Sequence, residues 1–410
     1  MLRFFMEEQL TGKILDYIDT HNEGNYHCYH TRKLSLDDDI NDQFKQEGYD
    51  RENVSCDTTG EKYAETDNSN VQSIQIAERL IRNVHLDNLK YFLDGSRHTF
   101  KVDDIVIGKN IYPIIAGQIV IGCCYRKDRD SFEKYKLKSE IILSLPKNFY
   151  DNWAKREDYG RRYAEELTEN LQKNNRYAKE HNLKISRIKF YEVDGKTIGD
   201  SQDKNRFINS GIAQIQNTMT DEEQVMVEQL CKEKRLSDSA FLVKDGSIQY
   251  NPTYSYLEKS AWNNMRSNYK NVVGISKSFD PTLLSSLRGN ENIARIIADL
   301  RPYHRTKAFR YRSEQSNNQY FAVWYLRIRN SDFRQTQFSD VVKCELLMHD
   351  SSQPFETQTI DWLSANIIRE AYPVCYGRDS RWANHLYPVF LTESFCKTQY
   401  IDKNIFLELF

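Results

Sequence analysis

No Cys-x-x-Cys pair occurs among the eight cysteines of this 410-residue sequence, which removes the zinc-ribbon class. Cys123 and Cys124 sit side by side in an apolar run and read as buried thiols. No apolar stretch approaches the ~20 residues that span a bilayer. The start, Met1-Leu2-Arg3-Phe4-Phe5, has no signal-peptide core. A reduced, cytoplasmic protein without a membrane part is therefore expected. No charge of one sign dominates. Lys and Arg number 57 against 59 Asp and Glu, a net −2, which argues against a general polyanion binder but permits a local basic groove. There is no Gly-x-x-x-x-Gly-Lys-Ser/Thr loop to hydrolyse a nucleotide, no Gly-x-Ser-x-Gly elbow and no His-Glu-x-x-His. Repeats and Pro-rich linkers are also missing, so one elaborated domain is preferred to two.

What is present is a phrase used twice. Tyr91-Phe92-Leu93-Asp94-Gly95-Ser96-Arg97 is an apolar run ending in Asp-Gly-Ser, and Phe241-Leu242-Val243-Lys244-Asp245-Gly246-Ser247 repeats it. An acid at the end of a buried strand, with glycine keeping its surroundings open, suits a metal ligand. Asp-Gly is equally a common hairpin turn.

Along the chain, residues 1–85 hold a short helical pattern (Leu10, Ile14, Leu15, Ile18), a polar, acidic stretch over 21–70 with Asp37-Asp38-Asp39, and a lead-in helix. Residues 86–410 alternate strand and helix patterns. Leu89 to Arg126 reads as β, with Gly117 and Gly122 suggesting a hairpin or bulged strands. Arg206 to Lys234 is the longest helical pattern, and Thr220 with Glu223 fits a capping box that would begin a second helix. The apolar tail, Ile405 to Phe410, reads as a last strand or a partner contact. The mixture predicts an α/β domain with a central mixed sheet flanked by helices.

Phosphodiester cleavage with two metal ions ~3.5–4 Å apart needs acids converging from separate elements. Asp94 and Asp245 supply two, as hard oxygen ligands for Mn²⁺ or Mg²⁺. A third is expected from the helix before Asp245, which offers Glu222, Glu223 and Glu228. Periodicity favours Glu223, which shares a face with Met226, Val227 and Leu230. All three also read as solvated helix acids. Lys277 ends an apolar strand and suits a phosphate. Basic and aromatic residues interleave from Arg301 to Arg312, where Arg305, Lys307, Arg310 and Arg312 read either as a backbone-tracking patch or as a plain surface hairpin.

These pieces, in order, resemble the NurA nucleases. The matching segments are Phe92-Leu93-Asp94-Gly95-Ser96, a Glu-bearing helix, Leu242-Val243-Lys244-Asp245-Gly246-Ser247-Ile248, the Lys-ended strand Val272-Val273-Gly274-Ile275-Ser276-Lys277, and Leu386-Tyr387-Pro388-Val389-Phe390-Leu391. The resemblance covers about residues 86 to 400, and its motifs are short. It implies an RNase H-like fold, with insertions, and a Mn²⁺- or Mg²⁺-dependent DNA nuclease. Such a nuclease is a homodimer working with a HerA-type hexameric ATPase in DNA end processing or anti-phage defence. By position it makes Asp94 and Asp245 metal ligands, ranks Glu228 above Glu223 by distance to the second Asp, and gives Tyr387 an active-site role. Arg97 follows the first motif and joins the nucleic-acid candidates. The family carries a His in the last helix. Here that region reads Thr392-Glu393-Ser394-Phe395, and His385 is the nearest substitute. A DNA-binding subunit with a weakened site is the alternative.

Overall fold

Branched apolar residues concentrate between Leu89 and Leu145, and there the chain runs as three antiparallel strands, β1 (Leu89–Ile107), β2 (Asn110–Arg126) and β3 (Phe132–Pro146). The computed structural model describes residues 88–410 except 129–130, 152–156, 175, 193–201, 250–265, 282–292, 314–315, 317, 331–335, 351–352 and 376–381. Before these it describes 14–20, 26–29, 33–35, 54–55, 63–67, 69 and 73–82. The acidic run Asp37-Asp38-Asp39 lies outside the described residues.

The β1–β2 hairpin turns at Gly108-Lys109, where Gly108 takes the left-handed φ of 62°. It does not turn at Gly117 or Gly122. Both lie inside β2, and their missing side chains let other elements close on the sheet: Ile215 against Gly117, Cys396 against Gly122. β4 (Ile185–Tyr191) then pairs parallel to β3.

On the other side of β1 lie β5 (Phe241–Asp245) and β6 (Val272–Ser276), both parallel to it in sense, followed by an antiparallel run. That run comprises β7 (Phe309–Ser313), β8 (Gln319–Arg327) and β9 (Val341–Leu347). The order across the sheet is β7-β8-β9-β6-β5-β1-β2-β3-β4. The expected mixed sheet in an α/β chain is present. Described pieces before residue 88 join it too: Tyr26–Tyr29 pairs with β1, and Ser73–Gln75 pairs with the short strand His304–Thr306.

Alternation along each strand gives the sheet two faces. Tyr91, Leu93, Ile121 and Leu242 face α1 (Gln202–Lys232), which answers with Ile212, Ile215, Met219 and Leu230. α1 is one helix of 31 residues. Thr220 and Glu223 do not begin a second one, because the apolar spacing runs unbroken across them. Phe92, Val243, Val273 and Ile275 face the opposite way, toward α2 (Thr357–Glu370) and α3 (Tyr387–Lys397). Pro388 starts α3 at no cost, since the first-turn N–H has no intrahelical partner.

The tail is not a strand. It forms α4 (Lys403–Leu407), capped by Asp402, whose carboxylate accepts the Asn404 N–H at 2.9 Å. Phe406, Leu409 and Phe410 are buried beside Ile14, Leu15 and Ile18 in the chain's own core. No helix among the described residues is long and apolar enough to cross a membrane.

Candidate metal centre

Asp94 does not end its strand. It sits within β1 opposite Gly122, a register that leaves no turn at Asp94-Gly95. Its neighbours fix where it points. Gly95 faces α1, because a Cβ there would overlap the Glu223 carboxylate and meet Met219 at 3.0 Å. Asp94 therefore faces α3. Asp245 does end its strand, and the turn begins after it: Gly246 takes φ 84° and its N–H donates to Ile275 O at 2.8 Å. Pairing of β5 with β1 sets Lys244 beside Leu93, so Asp245 lies on the same face as Asp94. If both Asp-Gly-Ser units were only turns, their acids would lie apart. Instead Asp94, Asp245 and Glu393 offer carboxylate oxygens that all lie within 4.8 Å of one another.

Glu393 comes from α3, which packs tightly over the sheet. Thr392 Oγ1 lies 3.5 Å from Phe92 O, and Cys396 Sγ lies 3.7 Å from Asp94 O. Lys277 completes the group. Two residues beyond Ile275, the partner of Asp245, it extends Nζ to 2.8 Å from Asp245 Oδ2 and 3.2 Å from Glu393 Oε2. Glu393 also pairs with Lys397 at 2.8 Å and has His385 Nδ1 at 3.8 Å.

Charge is distributed unevenly. Burial, reinforced by Asp245, holds the Asp94 carboxyl well above the ordinary range, although Lys277 opposes this. Burial also pushes Glu393 upward, but Lys277, Lys397 and His385 outweigh it and hold that acid at about 2. For Lys277, burial favours the neutral amine. The carboxylates of Asp245, Glu393 and Asp94 overcome it and keep the ammonium charged above its usual range.

The acid brought beside Asp94 and Asp245 is thus Glu393 and none of the three α1 glutamates. Glu223 is buried, as its periodicity required, but on the α1 face, where it pairs with Lys244 at 3.0 Å. Burial raises its carboxyl despite Lys244, and the Asp245 charge adds to the rise. Glu228 lies about 140° further round α1. Its side chain is 38% exposed and paired with Lys232 at 2.6 Å. Glu222 pairs with Lys138 and Arg187. The described contact of the Tyr387 ring is with Phe132, at 6.4 Å between centroids. His385, by contrast, does stand beside the site.

The basic patch divides. Arg305 is fully buried and donates to both Glu65 oxygens, at 3.0 and 2.8 Å, and to Asp361 at 2.7 Å. Lys307 is buried too, donating to Asp67 O at 2.8 Å and to Ser69 O, with Tyr63 under its ammonium. Neither is placed to meet a phosphate. Arg310 and Arg312 are half-buried on β7, and Arg310 lies over the Tyr320 ring at 4.6 Å. β7 is four strands from β5, about 19 Å across the sheet. Arg97 faces α1 and donates to Gln216 at 2.7 Å.

Two buried residues that no motif announced hold the site in place. Glu345 accepts from Ser247 Oγ at 2.7 Å, Ile248 N–H at 2.9 Å and Gln249 Nε2 at 2.8 Å, and pairs with Lys343 at 2.9 Å. This fixes the chain leaving Asp245. Asn384 donates to Lys277 O and to Val341 O, each at 2.9 Å, and so fixes the backbone of Lys277.

Three hard carboxylates from three elements fit one divalent ion. Oxygens held ~2.1–2.4 Å from an ion stand at most ~4.2–4.8 Å apart, and the three here lie within 4.8 Å of one another. α3 must stay close for this. A Cβ at Gly122 would sit 2.5 Å from Cys396 Sγ. Gly122→Ala is therefore expected to displace α3, weakening Mn²⁺ binding by about tenfold and costing ~1–3 kcal/mol of stability. Mn²⁺ titration beside urea denaturation measures both, and an unchanged Mn²⁺ affinity would uncouple α3 from the site. No protein-family model matches the chain, and no curated protein does either.

Proposed function

We propose that this chain is a divalent-metal-dependent deoxyribonuclease subunit with an RNase H-like, NurA-type core. The observation that carries this reading is the convergence of Asp94, Asp245 and Glu393 on one sheet face, with Lys277 among them. Two of those acids come from the repeated Asp-Gly-Ser phrase. The mixed sheet, with its two acid-bearing strands adjacent and parallel, supports the same core.

Asp94, Asp245 and Glu393 would hold Mn²⁺ or Mg²⁺. When bound, such an ion supplies a Lewis acid for the phosphoryl oxygen and a water of lowered pKa. Lys277 is the cation available to a non-bridging phosphate oxygen. His385, beside Glu393, is placed to orient that carboxylate. DNA as substrate, a homodimeric state and a HerA-type hexameric translocase as partner rest on the resemblance, as does a role in end processing or anti-phage defence.

A weakened, DNA-holding subunit is the second reading. It draws on one observation: Lys277 already neutralises two of the three acids.

Labelled linear and single-stranded DNA, incubated with Mn²⁺ or Mg²⁺ with and without a HerA-type ATPase, tests the two readings. The nuclease reading expects metal-dependent cutting that falls at least about a hundredfold in Glu393→Gln, several kcal/mol of transition-state stabilisation. Absence of cutting in every condition selects the weakened subunit. Cutting that Glu393→Gln leaves intact overturns the three-acid site.

A further inference from the structure

We propose that Lys277 makes the divalent ion and the phosphodiester bind this site cooperatively: it releases Asp245 and Glu393 when a phosphate oxygen is there to receive it. The inference rests on the metal-centre reading above. Lys277 Nζ is 2.8 Å from Asp245 Oδ2 and 3.2 Å from Glu393 Oε2, so one ammonium engages two of the three carboxylates that an ion would take. An ion held by those carboxylates would stand close to the ammonium, and the two positive charges repel at that range. The ion binds more favourably once the ammonium withdraws. A withdrawn ammonium, still enclosed by protein, needs another anion.

The built geometry suits such an exchange. The backbone of Lys277 is pinned, its carbonyl accepting from Asn384 Nδ2 at 2.9 Å, while its four-carbon stem keeps its own rotors. Glu393 carries a second ammonium, that of Lys397 at 2.8 Å, whose side chain is 56% exposed. Lys277 holds Oε2 and Lys397 holds Oε1, so an ion on Glu393 weakens the hold of this carboxylate on both ammonium groups. Neither ligand alone satisfies the group: the ion without phosphate crowds cations, and phosphate without the ion strips the acids of their counter-charge. Together they exchange partners without loss. Linkage then requires each to tighten the other by the same factor.

The test is a Mn²⁺ titration followed by the EPR signal of the free ion. It uses the full chain alone, the chain with a short phosphorothioate oligothymidylate, and Lys277→Met in both conditions. Wild type should bind Mn²⁺ on the order of tenfold more tightly with the oligonucleotide. Lys277→Met should bind it tightly at once, with no further gain. Lys277→Gln, polar but uncharged, replaces the methionine variant if that variant does not fold, and the wild-type comparison needs no variant. Mn²⁺ binding that the oligonucleotide leaves unchanged overturns the proposal while the metal centre stands. Coupling that survives in the variant overturns the role of Lys277. No Mn²⁺ bound by either protein overturns the metal-centre reading itself.

Discussion

Asp94→Asn is expected to stabilise the metal-free protein and, on the nuclease reading proposed above, to abolish its response to Mn²⁺ and lower DNA cleavage by at least about a thousandfold. Burial and the neighbouring Asp245 charge raise this carboxyl well above its ordinary range and so favour its neutral form, whose shape asparagine keeps. The substitution also removes the cost of ionisation as pH rises. The sign follows from linkage. Between the unfolded value of 3.8 and its raised folded value, Asp94 binds a proton in the folded state that the unfolded chain has released. Stability contributed by this residue is complete below that window and declines as pH rises through it. Glu393 acts oppositely: held at about 2 in the folded chain, it contributes stability above 4.5 that is lost as pH falls toward 2. Asp94→Asn should therefore flatten the alkaline-going decline and leave the acid limb unchanged. At neutral pH the gain should be ~1–2 kcal/mol, a common size for relief of a strained functional site. Urea midpoints across pH, with EDTA and then with Mn²⁺, measure all of this. A less stable variant would show that Asp94 is an ordinary structural carboxylate.

Arg305→Met is expected to cost ~3–5 kcal/mol, the effect of removing one partner from a buried ion pair, and to leave DNA affinity untouched. Glu65 and Arg305 are both fully buried, and Asp361 shares the guanidinium. Methionine fills the space but leaves Glu65 with only the Ala308 N–H, at 2.8 Å, among its present donors. A phosphate-contacting arginine would behave differently. Its loss would spare stability, weaken binding across sequences and reduce the salt dependence by about one contact. Urea denaturation beside DNA anisotropy at two salt concentrations separates the cases. A salt slope that falls while the urea midpoint holds would restore Arg305 to the DNA surface.

Arg305 shows why the basic patch misled. Alternating basic and aromatic residues look alike whether the cations face solvent or an inner carboxylate. The deciding partner, Glu65, is 240 residues away in sequence. Glu223 shows the reverse. Its helical spacing correctly required burial, but spacing within one helix does not reveal which face of a distant sheet the helix covers. Spacing to the second Asp favoured Glu228, which the helix turns outward to Lys232. Glu393 belongs to no motif, since the resemblance places a histidine, not an acid, in that helix. The signal available was an acid, a turn and a half after Tyr387, in a helix whose Pro388, Val389, Thr392 and Cys396 are buried.

By itself the sequence determined the α/β character of the chain, the strands that carry Asp94 and Asp245, the Lys-ended strand β6 and the long apolar face of α1. Those follow from periods of 2 and 3.6 residues, which are local and survive without any knowledge of neighbours. Tertiary structure alone decided that Asp94 lies within a strand, that Glu393 is the acid set beside Asp94 and Asp245, that Lys277 bridges two of the three, and that Arg305 and Lys307 turn inward. Each depends on sheet register and on which helix covers which face. These are set by long-range packing, such as Cys396 against Gly122, that no local pattern encodes.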